Sequence, residues 1–464
     1  MTESDLTIVI LAAGLGTRMK SAKAKVLHAA GGKTLIEHVV DTALELTQPA
    51  RVFVVVGHQA GKVRSILETR GVGFIEQTEQ KGTGHALMAG REALQGLPGR
   101  LVVLYGDCPL ISAHTLRRLV QAQAESGSAA TLITTLLEDP AGYGRVIEDE
   151  SGLVRIIVEE KAATSVQRQV KQINSGIYCF SAAEFWANLG RIGTANPAGE
   201  YYLTDIVEIL SQAGHAVRPM KIADPVEVLG INNRLELAKA DALFRRRKAE
   251  ELMLGGVTIE KPETVSIDGG VRIGMDTIVE PFAQILGATS IGEDCVIGAC
   301  SIVRDSRLGR GVIVSPFTSI AGSEIDDEGQ VGPYARLRMG AHVEAGAHVG
   351  NFVELKKTRL GPGSKAMHLA YLGDSDIGRK VNIGAGTITC NFDGVRKHAT
   401  HIGDGAFVGS NSTIVAPMEI GADSYLAAGS VITHAVPPEA LAIGRSRQVN
   451  KEGWARKRKK ASHP

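Results

Sequence analysis

Aromatic side chains are scarce in this chain of 464 residues: Phe, Trp and Tyr together make up 4%. A core filled with stacked rings is excluded, and the 54 glycines point to a backbone that turns often and packs small side chains in layers. Cysteine is sparse too. Cys108, Cys179, Cys295, Cys300 and Cys390 are odd in number, irregularly spaced and without a C-x-x-C pair. That excludes a disulfide scaffold and a zinc site of that kind, and suits reduced thiols in a cytoplasmic protein. Neither charge is in excess, since the formal net charge is +1 with 22% charged residues. General nucleic-acid binding needs a strongly basic surface and is excluded. No apolar run reaches the roughly 18 residues of a membrane span, so no transmembrane segment is expected. The opening MTESDLTIVILAAG sets acidic residues before a short apolar run, unlike the basic start of a signal peptide.

What is present divides the chain. The length suits two domains. In the first half LTIVILAA (6–13), RVFVVVG (51–57) and RLVVLYGD (100–107) are apolar runs of strand length. Each leads into Gly, Asp or His and then an amphipathic stretch such as KTLIEHVVDTALEL (33–46). Continuous buried strands between helices predict an α/β domain with a mostly parallel, doubly wound, Rossmann-like sheet. Ligands of such sheets sit beyond the carboxyl ends of the strands. From Asn232 to about Leu254 the residues are helix formers without Pro or Gly, predicting one long helix that Gly255, Gly256 and Pro262 end. Beyond it a period of six appears: VGPYAR, LRMGAH, VEAGAH and VGNFVE from Val331, and IGDGAF, VGSNST, IVAPME, IGADSY and LAAGSV from Ile402. A branched aliphatic opens most units, as a parallel β-helix requires at its inward positions. The expected organisation is 1–231 α/β domain, 232–255 helical linker, 256–446 β-helix of about ten coils, and 447–464 basic tail. After IGAGTI (383–388) the phase is lost until Ile402, which predicts a loop projecting from a corner.

Chemistry-bearing residues fall at the predicted strand ends. Leu11-Ala-Ala-Gly-Leu-Gly-Thr-Arg18 offers backbone N–H groups and a guanidinium to a phosphate, although a Gly-rich loop alone is equally a tight turn. It matches neither G-x-G-x-x-G nor a Walker loop, so a dinucleotide fold and a P-loop ATPase are disfavoured. Lys25 follows, then a second Gly-rich stretch, EQKGTGHA (79–86), and Tyr105-Gly-Asp107 at the end of an apolar strand. Asp107 suits Mg²⁺ facing a phosphate loop, or a turn cap. In the second half Arg338, Lys356 and His368 interrupt the repeat at spacings of 18 and 12 residues, which places them at equivalent or adjacent corners of coils of about 18 residues. Two cations there suit a sugar phosphate. A histidine suits proton transfer near neutral pH, although a lone histidine is more often structural.

The combination L-x-x-G-x-G-T-R-M, K-V-L-H, Q-x-x-x-x-G-T-x-H-A, Y-G-D, G-Y-G-R, N-x-G-I, E-Y-Y-x-T-D and G-x-N-N-R resembles the nucleoside-diphosphate-sugar pyrophosphorylases. With H-L-x-Y-L-G-D and N-I-G-A-G-T-I-T-C-N behind it, nearly the whole chain resembles the bacterial bifunctional N-acetylglucosamine-1-phosphate uridylyltransferase/glucosamine-1-phosphate acetyltransferase family. The resemblance implies a left-handed β-helix, a homotrimer, Mg²⁺, and UTP and acetyl-CoA as co-substrates. It also implies a place in UDP-N-acetylglucosamine supply for cell-wall synthesis. Leu11, Ala12, Ala13, Gly14, Lys25, Gln77, Gly82 and Thr83 would hold UTP, with Arg18 and Lys25 as the catalytic cations. Tyr105, Gly106, Gly144, Glu159 and Asn174 would complete the UDP-sugar site, and Asp107 and Asn232 would bind the metal. The choice of Glu159 over Glu160 rests on spacing to Asn174. His368 would be the general base, and Arg338, Lys356, Tyr371 and Asn382 would hold glucosamine-1-phosphate. Ala385, Asn391, Phe392, Ser410, Ala428 and Arg445 would line the acetyl-CoA site. Phe392 stands where the family typically has Tyr, and Met339 where it often has Pro. Two other readings remain open: a monofunctional pyrophosphorylase whose β-helix regulates or assembles, and a non-catalytic scaffold. The tail Trp454–Lys460 is either solvated or drawn to coenzyme phosphates or an anionic surface.

Overall fold

The computed structural model describes residues 5–461. Residues 1–4, with the first acidic position of the N-terminal reading, and 462–464, the end of the basic tail, lie outside the described residues. The chain divides into two compact units, Met1–Leu243 and Phe244–Pro464.

The first unit is built on a mixed sheet. Its strands are β1 (Leu6–Leu11), β2 (Val52–Val56), β3 (Gly73–Glu76), β4 (Arg100–Tyr105), β5 (Ala130–Leu136), β6 (Arg145–Glu148), β7 (Val154–Val158), β8 (Gln172–Ser181) and β9 (Val217–Lys221). The main order is β9-β5-β8-β4-β1-β2-β3, with β6 pairing β8 and β7. Strands β4, β1, β2 and β3 run parallel, and all six residues of β1 are buried, as expected of a strand covered on both faces. Strand β8 runs antiparallel to both β4 and β5. Apolar runs do not encode strand direction, so the sequence pattern left this reversal unmarked. The reversal matters. Because β8 pairs Tyr178 with Val103 and Ser181 with Arg100, its early residues Asn174–Gly176 lie beyond the carboxyl end of β4. Register sets Leu11 opposite Tyr105 and Val55, and Val56 opposite Glu76. The segments starting at Ala12, Gly57, Gln77 and Gly106 therefore leave the sheet along one edge.

The helix predicted from Asn232 begins two residues later, at Arg234, and runs to Leu254, about 32 Å at ~1.5 Å per residue. Its start is fixed by a reciprocal cap: Asn233 Oδ1 accepts from Glu236 N at 2.9 Å, while Glu236 accepts from Asn233 Nδ2 and Asn232 N, each at 2.6 Å.

The second unit holds three parallel sheets of eleven, ten and nine strands, each made from every third strand except at the final step of the first sheet, from Tyr425–Leu426 to Leu441–Ala442. Successive strands thus go to different faces, and three of them close one coil. Ile297, Val314, Val331 and Val349 stack inward on the first sheet, Val303, Ile320, Leu337 and Leu355 on the second, and Leu308, Ile325, Val343 and Leu360 on the third. Burial of such side chains stabilises by roughly 1.5–3 kcal/mol each. Serines and threonines fill corners and satisfy backbone carbonyls, as Ser364 Oγ does with Gly378 O at 2.7 Å. Among the described residues no helix is long and apolar enough to cross a membrane.

Candidate active sites

Along the sheet edge of the first unit, Leu11, Ala12 and Ala13 are buried, and beyond Gly14 lies open space. Gly16 is left-handed (φ 62°), and a Cβ there would sit 2.6 Å from Lys25 Cβ, so only glycine lets the Lys25 stem pass. Lys25 Nζ reaches Asn232 Oδ1 at 2.9 Å and forms an ion pair with Asp107. The Arg18 guanidinium donates to the same Asn232 oxygen at 2.8 Å. Four residues drawn from Arg18 to Asn232 thus meet at one point, and the helix cap at Asn233–Glu236 holds Asn232 there. Gly106 is enclosed by Ile36, Val26 and Ala12, and its N–H donates to Leu11 O at 2.9 Å, which locks β1 to the Asp107 turn.

A second group meets beside it. Buried Gln77 donates to Gly82 O and meets His85 Nδ1, both at 3.1 Å. Thr83 accepts from Leu203 N at 3.1 Å and is hydrogen-bonded to the Tyr105 hydroxyl, whose phenol burial pushes well up. The Tyr105 ring lies against Gly176 (φ 81°), where a Cβ would stand 2.6 Å from it. Asn174 N donates to Gly144 O at 2.9 Å, and its side chain donates to Tyr178 at 2.7 Å. Glu159 faces Gly144 and accepts from Thr204 at 3.1 Å. Burial pushes its carboxyl up against that hydrogen bond. Glu160 turns away and pairs with buried Arg145 at 2.8 Å, so Glu159 is the one that lies with Asn174 against Gly144.

In the β-helix, register puts Arg338 beside Lys356 on one sheet and Asn351 beside His368 on the next. His368 is exposed, and its Nδ1 lies 2.6 Å from Asn351 Oδ1. An amide oxygen only accepts, so Nδ1 is the donor of this pair, and it is the neutral ring in that tautomer that offers the Nε2 lone pair. Asn351, His368, Ala385, Ser410 and Ala428 form a column up one corner, one per coil. Asn411 N donates to Ala385 O at 2.7 Å and Gly429 N to Ser410 O at 2.8 Å. Three small side chains above the histidine leave a shallow track, and exposed Arg445 ends it against Gly429. Lys356 is 3% exposed and held by Asp374 at 2.6 Å. Burial raises the Asp374 carboxyl, but Lys356 and Asn391 together hold it below its ordinary value. Arg338 pairs with Glu354 at 2.7 Å, and the Tyr371 hydroxyl lies over Gly373, where a Cβ would be 2.6 Å from it. Asn382 shares the His368 sheet, between Lys365 and Phe407.

Comparison with known proteins follows this geometry. The family model for the MobA-like NTP transferase domain matches residues 8–150, and that for the bacterial transferase hexapeptide (six repeats) matches 270–305 and 399–434. The bifunctional protein GlmU of Solibacter usitatus (strain Ellin6076) is 62% identical over 455 residues, covering 98% of either chain. Those of Koribacter versatilis (strain Ellin345) and Anaeromyxobacter sp. (strain Fw109-5) are each 49% identical, over 99% and 98% of this chain and 98% and 93% of theirs. The chain belongs to the bifunctional GlmU family. Its fold is accordingly an α/β nucleotidyltransferase unit followed by a left-handed parallel β-helix.

Within this GlmU-family frame, several residues of the two sites escaped sequence reasoning. The loop that breaks the hexapeptide phase is shorter than expected, since Ile388–Cys390 is still strand and pairing resumes at Thr400. It carries exposed Phe392 and brings Lys397 to Lys356, which together with Arg338 lowers the Lys397 ammonium below its usual range. No periodicity marks Lys397. Asp374 and Asn351 had a signal: each lies one coil from a residue already singled out, Lys356 and His368. Thr204 sits in the E-Y-Y-x-T-D stretch, and Gly16 in the first loop.

Proposed function

We propose that the two groups of side chains divide the labour of this GlmU-family transferase as follows. The β-helix acetylates glucosamine-1-phosphate with acetyl-CoA, and the N-terminal unit transfers UMP from UTP to the N-acetylglucosamine-1-phosphate so formed, releasing pyrophosphate. In uridylyl transfer a sugar-phosphate oxygen attacks the α-phosphate of UTP. The nucleophile is already an anion, so the protein needs no covalent residue; it must hold two repelling anions together and offset charge as it develops. Arg18 and Lys25 provide fixed positive charge, the Leu11–Gly14 loop and Thr83 bind UTP with Gln77 and Gly82 toward the base, and Glu159, Asn174, Gly144 and Tyr105 hold the sugar. Asp107 and Asn232 offer hard oxygen donors, already gathered around a cationic group, and that chemistry fits Mg²⁺. When bound there, the ion would offset charge on the triphosphate.

In acetyl transfer His368 Nε2 takes a proton from the sugar amine as its nitrogen attacks the thioester carbonyl, and the coenzyme leaves as a thiol once protonated. Asn351 keeps the tautomer that makes Nε2 the base. Arg338, Lys356, Lys397, Tyr371 and Asn382 bind the sugar phosphate. Ala385, Ser410 and Ala428, with Asn391, Phe392 and Arg445, make the track for the coenzyme. The chain works in the cytoplasm as a homotrimer through the β-helix. Support for assembly is an exposed apolar ridge on the corner below His368, where Phe317, Tyr334 and Phe352 stack at 5.1 and 5.3 Å. The observation supporting the reading is that Arg18, Lys25, Asp107 and Asn232 meet in one unit, while in the other Arg338, Lys356, Asp374 and Lys397 cluster and Asn351 holds His368. One tube containing glucosamine-1-phosphate, acetyl-CoA, UTP and Mg²⁺ tests it: free thiol, pyrophosphate and UDP-N-acetylglucosamine should all appear. Thiol release without the nucleotide sugar, or the reverse, rejects it.

A further inference from the structure

The ammonium of Lys25 sits on the two oxygens assigned to the metal. Its Nζ is in ion-pair contact with Asp107 Oδ2 and 2.9 Å from Asn232 Oδ1. The position is built. Gly16 is open to the Lys25 stem, and the Asn233–Glu236 cap fixes Asn232 from the other side. Arg18 adds a second positive group, 2.8 Å from the Asn232 oxygen. A divalent ion bound to those oxygens at about 2.0–2.1 Å would lie within a few ångströms of Nζ and meet strong repulsion. Lys25 can leave only for another anion, and the triphosphate is the anion this edge of the sheet is shaped to receive.

We propose that Lys25 stands in for the metal in the nucleotide-free enzyme, so that the divalent cation enters only together with the nucleotide, which draws Lys25 onto its phosphates. This rests on the assignment of Asp107 and Asn232 as metal ligands. The consequence is a fixed order: metal alone is excluded, nucleotide and metal enter as one, and Lys25 exchanges one set of oxygens for another without leaving the site.

Direct metal binding to the full-length chain tests this without reference to turnover. Mn²⁺ is the probe, read by enhancement of water-proton relaxation, which reports protein-bound ion. Mn²⁺ alone should bind wild-type protein at least about tenfold more weakly than it binds Lys25→Met or Lys25→Gln, and UTP should produce a protein-bound Mn²⁺ signal in wild type. Equal affinity for Mn²⁺ alone in wild type and both variants overturns the exchange, and so does weaker binding in the variants. Asp107→Asn separates this from failure of the metal assignment: loss of the Mn²⁺ signal in that variant with UTP upholds the ligands, and an unchanged signal removes them and the exchange with them. A wild-type-like N-terminal melting transition in each variant shows that the unit carrying the substitution is folded. Should neither lysine variant fold, wild type decides alone, since Mn²⁺ binding as tight without UTP as with it overturns the proposal.

Discussion

In the N-terminal unit the candidate site is collected from stretches as far apart as Leu11 and Asn232, and side chains meet because strand order and one reversed strand bring their ends to a common edge. In the β-helix, by contrast, sequence distance is spatial distance: one coil later is one step up the same column. His368, Ala385, Ser410 and Ala428 are neighbours because 17 or 18 residues close a coil, with the Asn391–Ala399 loop the one exception among them. The first architecture lets any residue type be placed anywhere on an edge at the cost of long-range pairing. The second fixes position by count and must leave the repeat, in a loop, to add a side chain off the lattice. Lys397 is that side chain.

Predictions that break or sharpen the contrast begin with the largest. Asp107→Ala should lower uridylyl transfer at least about 10³-fold, several kcal/mol of lost charge stabilisation, and leave acetyl transfer unchanged. Pyrophosphate release at the wild-type rate would remove Asp107 from the site. His368→Ala should lower acetyl transfer by about 10²–10⁴-fold with uridylyl transfer intact, and Asn351→Ala should give a smaller kcat loss with a shifted pH profile, because only the tautomer is released. If the histidine variant keeps its kcat and only KM rises, the cations do the work and the base assignment fails. Lys397→Ala should raise KM for glucosamine-1-phosphate about tenfold with little change in kcat, the loss of one charge-assisted contact. An unchanged KM would make the projecting loop irrelevant to sugar binding.

The smallest effect concerns Asp205. Burial first, then Glu159 and Glu208, raise its pKa from the ordinary 3.8 to about 6. A carboxyl with a raised folded value costs stability as it ionises, so the penalty grows from pH ~4 to ~6 and is constant above. Asp205→Asn should therefore raise the melting temperature of the N-terminal transition at pH 7 by about 1–3 °C, a modest figure because the group is half exposed, and the gain should vanish below pH 4. Equal melting at both pH values would show that Asp205 carries no such penalty.

Legibility in the sequence followed the same divide. The β-helix was readable down to the number of coils, because each inward aliphatic repeats and each repeat has one place to go. His368, the candidate base, was singled out by the H-L-x-Y-L-G-D motif rather than by count, and Asp374 and Asn351 were passed over although each stands one coil from a residue that was named. In the N-terminal unit the loops after β1 and β4 were legible as glycines and carboxylates at strand ends. The reversal of β8 was not, because an apolar run reads the same in either direction, and without it the meeting of Asn174 with Gly144 and Glu159 cannot be derived. The choice between Glu159 and Glu160 was left to spacing in the sequence, which does not show that buried Arg145 pairs with Glu160 while Glu159 lies beside Asn174.

The most direct test of the central claim, two independent sites joined by a diffusing intermediate, is complementation in one tube. Asp107→Ala and His368→Ala are each supplied with glucosamine-1-phosphate, acetyl-CoA, UTP and Mg²⁺, singly and as an equimolar mixture, and UDP-N-acetylglucosamine is measured. Each variant alone should form the product at the strongly reduced rate of its damaged half, and the mixture should recover to within a few-fold of wild type. A mixture no faster than the better single variant would contradict the account.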